Sequence, residues 1–88
     1  MADPGVCKIH YISLRVPFGP HNEWTTRLLK LSHHAHAFAQ LYDLDSTVAM
    51  DPTNYEYVWT VGVPEGMNAS KIYTEKMQPV GDVMKVEK

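Results

Sequence analysis

The chain has 88 residues, 44% of them apolar and 20% charged, with a net charge of −2. That is one domain's worth of chain with enough apolar side chains for a core, which excludes a disordered polyelectrolyte. Its eight Lys and Arg are scattered from Lys8 to Lys88, so the basic face that a nucleic-acid binder needs is not expected.

A single α+β domain is expected over 1–88, with 1–5 as a flexible N-terminus. No apolar run reaches the roughly 20 residues of a membrane span, so no membrane partner is expected. The start, Met1-Ala2-Asp3-Pro4-Gly5, lacks the charged and apolar regions of a signal peptide. The one cysteine, Cys7, cannot close an internal disulfide, which points to a reducing, cytoplasmic compartment. In that setting the Asn68-Ala69-Ser70 sequon is a coincidence.

Val6 to Val16 reads as a strand, with Ile12, Leu14 and Val16 on one face and Ile9, Tyr11, Ser13 and Arg15 on the other. Pro17-Phe18-Gly19-Pro20 ends it, since prolines give no ladder donor. Asn22 is placed to cap a helix that runs from Glu23 to about Tyr42. Asp43-Leu44-Asp45 breaks that helix, and Ser46 to Met50 reads as a short strand. Asp51-Pro52-Thr53-Asn54 has the side chains of a type I turn. Tyr55 to Val63 is the strongest strand, with Tyr55, Tyr57, Trp59, Val61 and Val63 on one face, a row that packs into the core or, as the alternative, points outward. Asn68 is placed to cap a second helix to about Gln78, which Pro79 and Gly81 stop, and Val80 to Val86 is expected as a last strand.

The resulting order, strand, helix, strand, strand, helix, strand, resembles the ferredoxin-like split arrangement. That resemblance implies a four-stranded antiparallel sheet with both helices on one face. It covers nearly the whole chain but rests on topology alone, and topology does not specify function. An RNA-binding sheet of this kind would need a basic-Gly-aromatic motif around the Tyr55 strand. An acylphosphatase would need a Gly-rich anion loop with an Arg after the first strand, where Pro17 and Pro20 offer no amide.

Three of the five histidines fall in Ser32-His33-His34-Ala35-His36. At about 100° per residue, Trp24, Leu28, Leu31, Ala35, Phe38 and Tyr42 form the helix's core stripe. His33 and His36 lie opposite it with Leu29 and Gln40, while His34 projects to another flank near Arg27 and Leu41. The three imidazoles therefore do not converge. His33 and His36 stand at i and i+3 and could share one ion, but a tetrahedral site needs two more ligands. No metal or other cofactor is expected, and no catalytic residue is assigned. Cys7 lacks a nearby base, and Asp43 with Asp45 reads as a solvated loop. His10 alternates with Ile12 and Leu14 rather than with Tyr11 and Arg15, so a partly buried structural role is expected of it.

The absence of a catalytic constellation leads to an interaction module: an inhibitor, adaptor or complex subunit that binds another macromolecule or forms a homodimer. Its contact residues are expected to be His33, His36 and Gln40 on the helix and Ile9, Tyr11, Arg15, Glu56 and Val58 on the open sheet face. That face is more apolar than one facing water needs to be. The alternative is a dimeric α+β-barrel-like protein that binds or transforms a small molecule. Its pocket would use His10 and Tyr11, or His33 and His36, as acid and base. An enclosed apolar cavity reached by a histidine would mark that alternative; a filled core beside a flat apolar face would mark the first.

Overall fold

Alternation of β-branched and aromatic residues produces three strands: β1 (Ile9–Pro17), β2 (Asp45–Asp51) and β3 (Glu56–Pro64). They come from a computed structural model that describes residues 8–86. β3 lies in the centre and pairs antiparallel with β1 on one side and β2 on the other. The registers set Ser13 opposite Thr60 and Thr47 opposite the same Thr60, so the three strands run level.

Helix α1 (Trp24–Tyr42) is entered through a short 3-10 turn, His21–Glu23. Asn22, expected as the N-cap, sits inside that turn. Glu23 takes the cap position, and no side chain caps the helix. At the other end Asp43 adopts left-handed backbone, φ 54°. Its amide and that of Leu44 both bond to the Ala39 carbonyl, the kind of C-terminal turn that Asp tolerates. The expected stripe is the packed one: Leu31, Ala35 and Phe38 are buried, and Trp24, Leu28 and Tyr42 are half-buried against the core.

The last quarter of the chain overturns the four-stranded expectation. Asn68 does cap a helix, its Oδ1 accepting from the Lys71 amide at 3.0 Å. That helix does not stop at Pro79. It runs as α2 (Ala69–Ile72), a π turn (Tyr73–Met77) and α3 (Gln78–Val86), so 80–86 is helical and the sheet has three strands. A proline inside an α-helix clashes with the carbonyl four residues back and leaves it without a donor. Here the preceding turn is widened, with the Gln78 amide bonding to Tyr73 O, five residues back, a geometry that accommodates Pro79. Gly81 likewise serves contact rather than termination. A Cβ there would stand 2.7 Å from Leu14 Cδ2, so its absence lets α3 settle onto β1.

Both helical segments cover one face of the sheet, α1 over β2 and β3 and α3 over β1. Between the layers Trp59, Val61, Val63, Tyr57, Leu14 and Val16 from the strands meet Leu31, Phe38, Met77 and Met84 from the helices. Trp59 is fully enclosed, with Phe38 edge-on at 5.4 Å. Its indole N–H is satisfied by Ser46 Oγ at 2.7 Å, as a buried tryptophan requires. The other face of the sheet carries no helix among the described residues. Cys7 and residues 1–5 lie outside the described residues.

Candidate interaction surface

The helix-free face is built by strand parity. β1 contributes Ile9, Tyr11, Ser13 and Arg15, β3 contributes Glu56, Val58, Thr60 and Gly62, and β2 contributes Asp45, Thr47, Ala49 and Asp51. Its middle is a row of small hydroxyl side chains, in which Ser13 Oγ and Thr60 Oγ1 share a hydrogen bond of 2.9 Å. One end is tied by Arg15, whose Nη1 donates to Asp51 Oδ2 at 2.9 Å and to Glu56 Oε1 at 3.2 Å. The bond from Arg15 holds the Asp51 carboxyl below its ordinary pKa; partial loss of hydration opposes this and bonds from Asn54 reinforce it. All three groups face water, so the network positions them more than it stabilises the fold.

The other end sets two large apolar side chains beside Asp45, which lies opposite Gly62. Tyr11 is 64% exposed and Ile9 48% exposed, yet both lean over the centre of the sheet. A Cβ on Gly62 would stand 3.1 Å from Ile9 Cγ2 and 3.1 Å from Tyr11 Cε1. Gly62 thus leaves a dip that the two side chains cover, an aromatic filling the gap of a strand glycine.

β1 is also a sheet edge, and two hydrogen bonds reveal which of its amides face outward. The Phe18 amide donates to Tyr55 O at 2.8 Å and the Glu65 amide to Lys8 O at 2.8 Å. Both pairs continue the β1–β3 register, in which Ile9 opposes Pro64 and Pro17 opposes Glu56. Directly opposed residues joined in this way alternate with residues whose backbone groups point the other way. The even-numbered residues of β1 therefore bond to β3. The amides and carbonyls of Ile9, Tyr11, Ser13 and Arg15 point away from the sheet, with side chains on its helix-free face.

The eight expected contact residues do not form one surface. Ile9, Tyr11, Arg15, Glu56 and Val58 share the helix-free face, whereas His33, His36 and Gln40 are exposed on the outer side of α1. The sheet and the helical layer lie between the two groups. Around the histidines Leu29 and Leu41 are also exposed. His34 stands apart on its flank, its ring 6.2 Å from that of His33. Among the described residues no three His, Cys, Asp or Glu gather as metal ligands. His10 is exposed rather than partly buried: its parity faces the helical layer, but it lies near the strand's start.

The residue that pattern reading missed is Arg27, 5% exposed. Its Nη1 donates to Met84 O at 2.8 Å and its Nε lies 3.5 Å from Glu23 Oε1. It packs against Gly19, where a Cβ would stand 2.4 Å from Nε. One guanidinium thus joins the loop after β1, the start of α1 and the Met84 carbonyl in the last turn of α3, a place that suits a cation. The Glu23–Arg27 spacing of four was its only signal. Beside it Phe18, Trp24, Tyr55 and Tyr57 form an aromatic corner, with Phe18 4.4 Å from Tyr57 and 4.8 Å from Trp24. Tyr57 OH donates to Trp24 O at 2.7 Å, and burial raises its pKa.

A groove of about 280 Å³ runs along α2 and the π turn, lined by Met67, Asn68, Lys71, Ile72, Glu75 and Lys76. It is open to solvent and no histidine lines it. Among the described residues no helix is long and apolar enough to cross a membrane. No family model, no curated protein and no solved structure matches the chain.

Proposed function

We propose that this is a protein-interaction module, acting as an inhibitor, adaptor or complex subunit does, through the helix-free face of its sheet and the adjoining β1 edge. One observation supports this reading above the others. The strand that carries exposed Ile9 and Tyr11 also points the amides of Ile9, Tyr11, Ser13 and Arg15 away from the sheet, where no other strand pairs with them among the described residues. A row of free donors and acceptors beside apolar side chains is the chemistry by which one protein takes up a strand of another. A small-molecule pocket would instead enclose its ligand with a few converging polar groups, and the open groove on α2 lacks that form. The single cysteine suits a cytoplasmic setting.

A photo-crosslinking residue at Tyr11 tests this in cells that express the chain, with the same residue at His36 on the opposite side as the comparison. Position 11 should give a covalent product of defined mass that contains a second polypeptide, and position 36 should give far less. Equal labelling from both positions, or none from position 11, would remove the proposal.

A further inference from the structure

We infer that the free edge of β1 takes the same strand of a second copy. The two would run antiparallel about a twofold axis at Ser13, joining two three-stranded sheets into one. This rests on the interaction reading above and deepens it by naming the partner. Ser13 is the midpoint of Ile9–Pro17, so an axis there overlaps the whole strand with its copy. It is also one of the residues whose backbone groups point outward, so the two Ser13 residues would exchange amide bonds across the axis.

The side chains that this register opposes are compatible. Tyr11 meets Arg15 of the other copy, a ring beside a guanidinium, and Ile9 meets Pro17. Arg15 is the only charged residue among those with outward amides, and the axis sets the two Arg15 roughly 14 Å apart along the strands. That exceeds the screening length of about 8 Å at physiological salt. An axis at Arg15 would instead place the guanidiniums side by side. Natural edges are guarded by charged side chains, proline or bulges. β1 has Arg15 as its one such charge and Pro17 as its last residue, and from Ile9 to Leu14 it carries no Lys, Arg, Asp, Glu or Pro.

Ser13→Pro is the direct test. It deletes an amide that the β1–β3 ladder does not use, at a position where an edge strand tolerates proline. Wild-type protein should be a dimer by light scattering at high micromolar concentration. Ser13→Pro should stay folded by circular dichroism and dissociate with a dimer constant weaker by ~tenfold or more, as expected for two lost central hydrogen bonds. Hydrogen exchange on the wild type gives a readout independent of that variant. Amides of Tyr11, Ser13 and Arg15 should lose protection on dilution, while those of Ile12, Leu14 and Val16 keep it.

A monomeric wild type overturns the proposal, as does a folded Ser13→Pro with undiminished dimerisation or exchange at Tyr11, Ser13 and Arg15 that ignores dilution. Open-ended assemblies also overturn it, since they would mean that β1 pairs with β2 of the next copy. A monomer that still crosslinks another protein through position 11 refutes self-pairing and leaves the interaction reading standing.

Discussion

The two edges of the sheet are built from the same material and defended differently. Both flank β3, and each has a helix on one face and solvent on the other. β2 has Asp45 and Asp51 as its first and last residues. An antiparallel copy paired about its midpoint, Val48, would set Asp45 opposite Asp51 at both ends, a repulsive arrangement. β1 paired about its own midpoint meets no such conflict. Adhesion at a sheet edge is therefore decided less by how apolar it is than by where charge falls relative to the strand's midpoint. On that measure β2 is closed and β1 is open.

The largest effect should come from moving the proline of Ser13→Pro by one residue. Leu14→Pro removes an amide that bonds to β3 and disrupts a buried side chain, a loss of about 3 kcal/mol or more. The backbone and core losses add, and together they approach the whole stability of a domain of this size, about 5–15 kcal/mol, so we expect Leu14→Pro to be unfolded in a thermal melt while Ser13→Pro is not. Equal damage from both would show that the outward and inward amides of β1 have been assigned the wrong way round.

Next in size is Arg27→Met, which tests what covers the back of each edge. α1 holds β2 through the continuous stripe Leu31, Ala35 and Phe38, whereas the end of α3 is held near β1 partly by the bond from Arg27 to Met84 O. Removing the guanidinium leaves a carbonyl and the Glu23 carboxylate without it, a cost of about 2–3 kcal/mol. Exchange should quicken at Val80 to Met84 and stay unchanged at Leu31 to Phe38. Uniform quickening would mean that the two helical segments are not independently anchored.

How much of this was legible in the sequence follows the same division. Period-two alternation located β1, β2 and β3 to within a few residues and separated the two faces of β1 and β3, because strand parity is a local property; Tyr55, expected in the core row, instead lies before β3 and is exposed. The α1 stripe was legible for the same reason. The last segment was not: Val80, Met84 and Val86 alternate well enough for a strand, and Pro79 with Gly81 looks like a stop. Yet Met77, Val80, Gly81 and Met84 also follow helical spacing. The decision between the two lies in the widened turn before Pro79 and in the Leu14 contact that only a glycine permits. The open edge was hidden with it, since a fourth strand of the expected topology belongs beside β1. Arg27 was hidden because its burial depends on where α3 ends.

A smaller effect is expected from Asp45→Asn with Asp51→Asn, which gives β2 the openness of β1. Asn at 51 keeps an oxygen for the turn to Asn54, and Glu56 remains for Arg15. With both acids gone, edges at both ends of the sheet can pair, and light scattering should report species larger than a dimer. A few-fold gain in association per relieved charge pair is the scale involved. A variant that remains the size of the wild type would show that those acids do not guard β2.

Acid should imitate that variant weakly and reversibly. The folded pKa of Asp51 is lowered by its bond from Arg15, so its stabilising contribution is present above the unfolded value of about 3.9. It is lost as pH falls through the lower folded value. Arg15 keeps its charge throughout, its own pKa being raised by the same partners. The gap in Tm between wild type and Asp51→Asn should hold constant at neutral and mildly acidic pH, then close below about 4. The gap is small because the pair is exposed. Protonation also neutralises Asp51 as a guard, while no acid lies among the outward-amide residues of β1. Growth beyond the dimer should therefore begin in the pH range where the Tm gap closes. Growth at neutral pH, or a gap that persists into strong acid, would separate the two roles assigned to Asp51.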